Sequence, residues 1–174
     1  MAEAKFEAKN IVICGGGNSS HVMGAICSSL GHNTKIFTRR PDEWSLDISL
    51  VNMDDAFLDG RAEVSGTLAA VTADASTCVP DADVVILAGI PVHHYPAVLA
   101  AVCPHIKNSG VMLGSVCSYG GFKWLVQDAM GPERAADACV FGFQSIPWAC
   151  GTKKVRVGGA MCVCCVCVCV CVCV

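Results

Sequence analysis

The chain has 174 residues, enough for one domain with a real core, and a formal net charge of −3 from 12 basic and 15 acidic side chains. That balance points away from a nucleic-acid surface and from a basic membrane-binding helix. Met1 to Asn10 is polar and lacks the apolar stretch of a secretory signal, and no run of about 18 apolar residues marks a membrane span, so the expected setting is cytoplasmic.

After a short N-terminal tail, residues 1–9, Ile11 to Cys14 reads as a buried parallel strand. Ser19 to Leu30 reads as a helix, with Val22, Met23, Ile26 and Leu30 at helical spacing and Gly31 ending it. Thr34 to Thr38 is a second strand, which completes a strand–helix–strand unit of about thirty residues. Pro41 then biases Arg40 towards extended geometry. Residues 45–62 read as less regular, with a turn at Gly60. Glu63 to Val71 reads as two short strands broken near Gly66, and Asp74 to Val79 as a short helix or turn. Val84 to Ala88 is a continuous, branched buried strand between Asp83 and Gly89.

Pro91 and Pro96 frame a loop before a helix over Ala97 to Val102. Val111 to Val116 is another buried strand, and Phe122 to Met130 is an amphipathic helix closed by Gly131 and Pro132. Cys139 to Phe143 is a further strand, Trp148 lies in a loop, and Lys154 to Val157 reads as a last strand. Strands alternating with helices through short loops predict an α/β fold, a Rossmann-type doubly wound and mostly parallel sheet over residues 10–160.

The first strand stops at Gly15-Gly16-Gly17-Asn18-Ser19-Ser20. Gly15-x-Gly17-x-x-Ser20 fits the dinucleotide fingerprint with a small residue in third place. Gly15 permits the sharp turn, Gly17 lets backbone approach the phosphates, and Ser20 keeps the helix close to the strand. The strand before it, and the helix and strand after it, supply the context this motif needs. At the end of the second strand, Thr38-Arg39-Arg40 stands where an NAD site usually has an acid. A hydroxyl and two guanidinium groups suit a 2′-phosphate better, which favours NADP over NAD and leaves NAD open. Gly89, Ile90 and Pro91 follow a central strand at its carboxyl end, where ligands sit in such sheets. His93 and His94 come next, as ordinary surface residues or as neighbours of the nicotinamide. The five histidines form no ligand-spaced set with acids or core cysteines, so no metal site is expected.

Of the 14 cysteines, seven are scattered through apolar runs and read as reduced core thiols. The other seven lie in Cys162 to Cys173, in a cysteine–valine tract over residues 161–174 that alternates strictly from Cys165 onward. This low-complexity tail has three readings. As a strand it would put valines on one face and cysteines on the other over residues 165–174. As a thiolate tract it would bind soft metals. As a TG dinucleotide repeat, read TGT GTG, it would translate to Cys-Val; this reading is favoured.

Three segments resemble the N-terminal domain of the NAD(P)-dependent opine dehydrogenases, the octopine/nopaline dehydrogenase group. They are Ile11 to Asn18 with its Gly-Gly-Gly-Asn, Val111 to Ser115 running into Gly121-Phe122, and Gln144 to Cys150 with Pro147-Trp148-Ala149-Cys150. The resemblance implies an oxidoreductase that condenses an amino acid with a 2-oxo acid and reduces the imine with NAD(P)H. It implies a cofactor domain followed by a helical catalytic domain, which supplies a histidine–aspartate acid/base pair and is missing here. No catalytic residue is therefore assigned, and the chain is expected to be truncated and inactive alone. Trp148 and Cys150 become candidate substrate-side residues, with a packed aromatic and a core thiol as the alternative. The glutamine that often precedes Gly-Gly-Phe in relatives is replaced here by Tyr119 or Gly120, and the basic residue after Trp-Ala-Cys by Gly151. A free-standing, non-catalytic nucleotide-binding module is the competing expectation, and a metal-thiolate protein the third.

Overall fold

The centre of the molecule is β1 (Asn10–Cys14), whose Ile11, Val12, Ile13 and Cys14 are all buried. In this computed structural model residues 7–52, 60–107, 109–118, 121–157 and 160–166 are described, with backbone alone for Asn52 and 149–166. β1 pairs in parallel with β2 (Asn33–Phe37) on one side and β6 (Val84–Leu87) on the other. β5 (Ala70–Thr72) extends the sheet beyond β2, and β7 (Met112–Ser115) and β8 (Cys139–Gly142) extend it beyond β6. The result is a six-stranded sheet in the order β5-β2-β1-β6-β7-β8, every pair parallel. The chain winds outward from β1 to β5, then returns to β6, so strand order reverses between β1 and β6.

Strand periodicity splits the core in two. Ile11 and Ile13 face one side with Val22 and Ala25 of α1 (Asn18–Ser29). Val12 and Cys14 face the other with Leu99 and Val102 of α3 (Tyr95–Val102) and Val126 of α4 (Phe122–Met130). The short α2 (Ala75–Cys78), capped by Asp74 accepting from the Ser76 amide at 2.9 Å, joins this second side.

A second, four-stranded sheet was not expected. It runs β4-β3-β10-β9, with β3 at Asp47–Asn52, β4 at Glu63–Thr67, β9 at Ala149–Val157 and β10 at Ala160–Val166. Ile48, Leu50 and Val64 join the α1 core, so α1 is packed between the two sheets. The irregular reading of residues 45–62 is thus corrected at β3. The break expected near Gly66 falls instead after Thr67. Gly66 lies within β4, and a Cβ there would sit 2.8 Å from the Ser28 backbone carbon of α1, so the glycine marks a close helix approach. Pro96 sits in the first turn of α3 rather than in a loop, where its missing N–H costs no hydrogen bond. α5 (Pro132–Asp137) was not anticipated, and β9 begins five residues before the expected Lys154. The cysteine–valine tract contributes the backbone of β10, parallel to β3 and antiparallel to β9; residues 167–174 lie outside those described.

Gly24 lies in the interior of α1, and a Cβ there would meet Ile36 at 3.4 Å and Ile48 and Leu68 at 3.5 Å. These are ordinary contacts, so Gly24→Ala removes only the entropic cost of helical glycine. The expected result is a gain of about 0.5–1 kcal/mol. It reads out as a higher urea midpoint at unchanged slope, and a lower midpoint would mean that α1 has no such room.

Candidate functional site

The glycine turn sits at the carboxyl end of β1, at the reversal of strand order, and both neighbouring strands hold it. The Gly15 amide donates to the Phe37 carbonyl of β2 at 2.9 Å, and the Ala88 amide after β6 donates to Cys14 at 3.0 Å. Gly15 adopts φ +142, and a Cβ on it would lie 2.4 Å from the Ala88 carbonyl oxygen. A Cβ on Gly16 would lie 2.6 Å from Thr38 Oγ1. Ser20 is fully buried and donates its hydroxyl to the Ala88 carbonyl at 2.9 Å, which ties α1 to the loop after β6. Ser19 packs under Gly89, whose added Cβ would lie 3.1 Å away. Gly17 caps α1 with extended backbone and, as a glycine, offers no side-chain cap bond, and no acid lies in the helix's first turn. An uncapped N-terminus of a twelve-residue helix is an electropositive place for an anion.

Around this turn opens a cleft of about 470 Å³. Its floor is Gly15, Gly16 and Gly17. One wall is Phe37, Thr38, Arg39 and Arg40 at the end of β2, and the other begins with Gly89, Ile90 and Pro91. The second wall continues through His94, Ala97, Val98 and Ala101 along α3. These residues are spaced i, i+3, i+4, i+7, one face of a helix, and three of the four are small or branched aliphatics. That stripe was the signal available in the sequence for a wall that the motifs did not reveal. The cleft is mixed in chemistry: a glycine cradle, an apolar helix face, and two guanidinium groups opposite it. Backbone that a Cβ would obstruct, an uncapped helix end and a cationic rim fit a phosphate-bearing dinucleotide.

His21 lies one helical turn into α1 and is buried, with Nδ1 3.0 Å from the Gly17 carbonyl. Its ring stacks on Trp44 at 3.7 Å between centroids and 12° between planes. Burial pulls its pKa below the usual histidine value, against the opposing pull of the Gly17 carbonyl. The neutral ring donates to Gly17 through Nδ1, and the stack pins the segment after β2 to α1. Burial pushes the Cys14 thiol far up, so the cysteine beneath the turn is an inert core residue. On the far side of β6, the Tyr95 hydroxyl of α3 bonds Ser115 and donates to the Cys117 carbonyl at 2.8 Å, which fixes the end of β7 against the helix that walls the cleft.

Of the residues singled out in the sequence, Gly15, Gly16, Gly17, Thr38, Arg39, Arg40, Gly89, Ile90 and Pro91 line this one cleft. Asn18 is exposed at the first position of α1, while Ser19 and Ser20 are buried beneath the turn and act on its shape. His94 lines the cleft beside an exposed His93. The Trp148 side chain is buried, in the core cluster that holds Ile13 and Ile36, and does not line the cleft. The Cys150 side chain lies outside those described, as do Tyr119 and Gly120. No group of acidic, histidine and cysteine side chains able to hold a metal occurs among the described residues. No helix among them is long and apolar enough to cross a membrane.

No protein-family model matches the chain. It is 28% identical over 150 residues to the opine dehydrogenase of Haliotis discus hannai, covering 80% of this chain and 36% of that one. The chain matches the N-terminal portion of the opine dehydrogenase family. The tauropine dehydrogenase of Arabella iricolor is 26% identical over 151 residues, covering 83% of this chain and 37% of the relative. Octopine dehydrogenase, solved with NADH and L-arginine, superposes with a TM-score of 0.73 at 24% identity over 88% of this chain and 38% of that one. Yersinopine dehydrogenase, solved with NADP+ bound, gives 0.69 at 18% identity over 91% of this chain and 39% of that one. The opine dehydrogenase likeness therefore extends over the α/β portion, and the chain spans little more than a third of the relatives' length.

Proposed function

We propose that this chain is the cofactor-binding part of an NAD(P)H-dependent opine-type dehydrogenase, which condenses an amino acid with a 2-oxo acid. The observation that carries the reading is the glycine turn at the strand reversal, opening into a cleft with a cationic wall. Relatives of the same fold have been solved with NADH and arginine, with NADH and pyruvate, and with NADP+. The backbone of Gly15 to Ser20 would hold the pyrophosphate at the α1 N-terminus. Thr38, Arg39 and Arg40 would meet the adenosine end, and Gly89 to Pro91 the ribose leading to the nicotinamide. The nicotinamide, when bound, supplies the hydride that reduces the imine carbon. The residues of this chain bind and orient that group; none of them is assigned a proton-transfer role.

NADP is the favoured cofactor, because the wall at the end of β2 carries guanidinium groups and no carboxylate in the position that reads a ribose diol. Fluorescence titration of the chain with NADPH and NADH tests this. Replacing both Arg39 and Arg40 with Ala is expected to weaken NADPH by about tenfold or more, and NADH by less than about threefold. Equal losses for the two would remove the phosphate-reading role, and failure of the wild type to bind either dinucleotide would sink the cofactor reading as a whole.

A further inference from the structure

The two arginines after β2 look equivalent in sequence and are not equivalent in space. Both line the cleft. Arg39 makes no hydrogen bond or ion pair among the described residues. Arg40 is engaged: its Nη1 lies 3.2 Å from each carboxylate oxygen of Glu43. Local backbone sets this pairing. Arg40 caps a single 3-10 turn over Pro41–Glu43, in which the Glu43 amide bonds the Arg40 carbonyl at 3.3 Å and the Trp44 amide bonds Pro41 at 3.0 Å. Pro41 in the first position holds φ for the turn. The Arg40 amide in turn donates to Thr38 Oγ1 at 3.4 Å. The turn ends in Trp44, which stacks on His21, whose ring is bonded to Gly17 of the glycine turn. The carboxylate is thereby held beside the cationic wall of the cleft.

The Arg40 and Glu43 side chains are 66% and 46% exposed, so the pair contributes little to folding. Its consequence for binding is different. A phosphate on the ribose 2′ position must compete with Glu43 for the same guanidinium, and it meets a second negative charge nearby. A 2′-hydroxyl meets neither penalty. We propose that Glu43 is a specificity-determining residue of this cleft: by holding Arg40 in an ion pair it leaves Arg39 as the cation that meets a 2′-phosphate, and so restrains discrimination between NADPH and NADH. The inference rests on the dinucleotide reading above.

The test uses the full chain and six titrations: NADPH and NADH, each against wild type, Glu43→Gln, and Glu43→Gln combined with Arg40→Ala. Glu43→Gln is expected to tighten NADPH by about threefold to tenfold and to move NADH by less than about twofold. Adding Arg40→Ala is expected to abolish that gain, because the gain comes from the released guanidinium. The gain is also expected to shrink between low and physiological salt, as an exposed charge contact must. An unchanged NADPH-to-NADH ratio in Glu43→Gln overturns the inference, as does a gain that survives Arg40→Ala. If the wild type binds neither dinucleotide, the dinucleotide reading itself falls, which is distinct from the case where both bind and the ratio does not move.

Discussion

Gly15→Ala is expected to remove dinucleotide binding, weakening NADPH by about thirtyfold to a hundredfold or more. Two independent costs act at this position. The backbone sits at φ +142, which an L-residue with a Cβ rarely adopts. The Cβ itself would lie 2.4 Å from the Ala88 carbonyl oxygen and 2.6 Å from Ser20 Oγ. The first neighbour is backbone and cannot swing aside. The second is the hydroxyl that ties α1 to the loop after β6 through its 2.9 Å bond to that same carbonyl. Relief therefore requires the turn to separate from Ala88, which moves the floor of the cleft away from Gly89 to Pro91. The affinity loss should far exceed that of a cleft-edge change, and a stability loss of about 1–3 kcal/mol should accompany it. Titration with NADPH, beside a urea melt without ligand, separates the two costs. Wild-type affinity in a folded Gly15→Ala variant would show that the ligand does not need this turn.

The turn was legible because each of its demands is local. A buried strand, glycines where only glycine fits, and a helix start lie within a few residues of one another, and the sequence shows all three. β6 was legible for a similar reason: Val85 and Leu87 face one core cluster and Ile86 the other, as in a parallel strand covered on both sides. The second sheet was not legible. β3 does alternate, with Ile48 and Leu50 buried, but its partner β10 lies more than a hundred residues along the chain, and alternation in either strand does not name the other as its partner. Gly66 illustrates the ambiguity of glycine: a strand break and a close helix approach look the same in a sequence, and only Ser28 against β4 decides between them.

The cleft divides in the same way. Its floor and the end of β2 follow from motif and strand position. Its α3 wall is a stripe of small side chains, and a stripe of small side chains reads as ordinary helix packing until something is seen to lie opposite it. Trp148 shows the reverse case. An aromatic in a distinctive segment offered a ligand contact or a packed core residue, and its side chain is buried in the cluster that includes Ile13 and Ile36. Burial is a property of the whole fold, and a loop tryptophan carries no local mark of it. The difference between Arg39 and Arg40 likewise depends on a single turn after Pro41 that brings Glu43 back to one of them.

Ile36→Ala is expected to destabilise the chain by about 2–5 kcal/mol. Ile36 is fully buried in β2, in register with Ile13 of β1, and its Cδ1 would lie 3.4 Å from a Cβ on Gly24 of α1. It is thus the side chain shared by the central strands and by the helix that carries the glycine turn. α1 is held between two sheets and cannot collapse freely onto one of them, so the cavity should stay open and the loss fall towards the upper part of that range. For a domain whose total stability is about 5–15 kcal/mol, this is a large fraction. The residue also lies two positions before Thr38, so an effect on binding must be separated from its effect on stability. A ligand that binds only the folded state adds RT ln(1 + [L]/Kd), about 2.7 kcal/mol at a hundred times Kd. Urea melts with and without NADPH, each at that multiple of the variant's own Kd, should show the same increment in wild type and in Ile36→Ala, with Kd itself unchanged. That result makes Ile36 part of the scaffold that presents the cleft. A Kd raised about tenfold in the folded variant would instead mean that the cavity distorts Thr38 and Arg39, and that the position of α1 is itself part of the binding site.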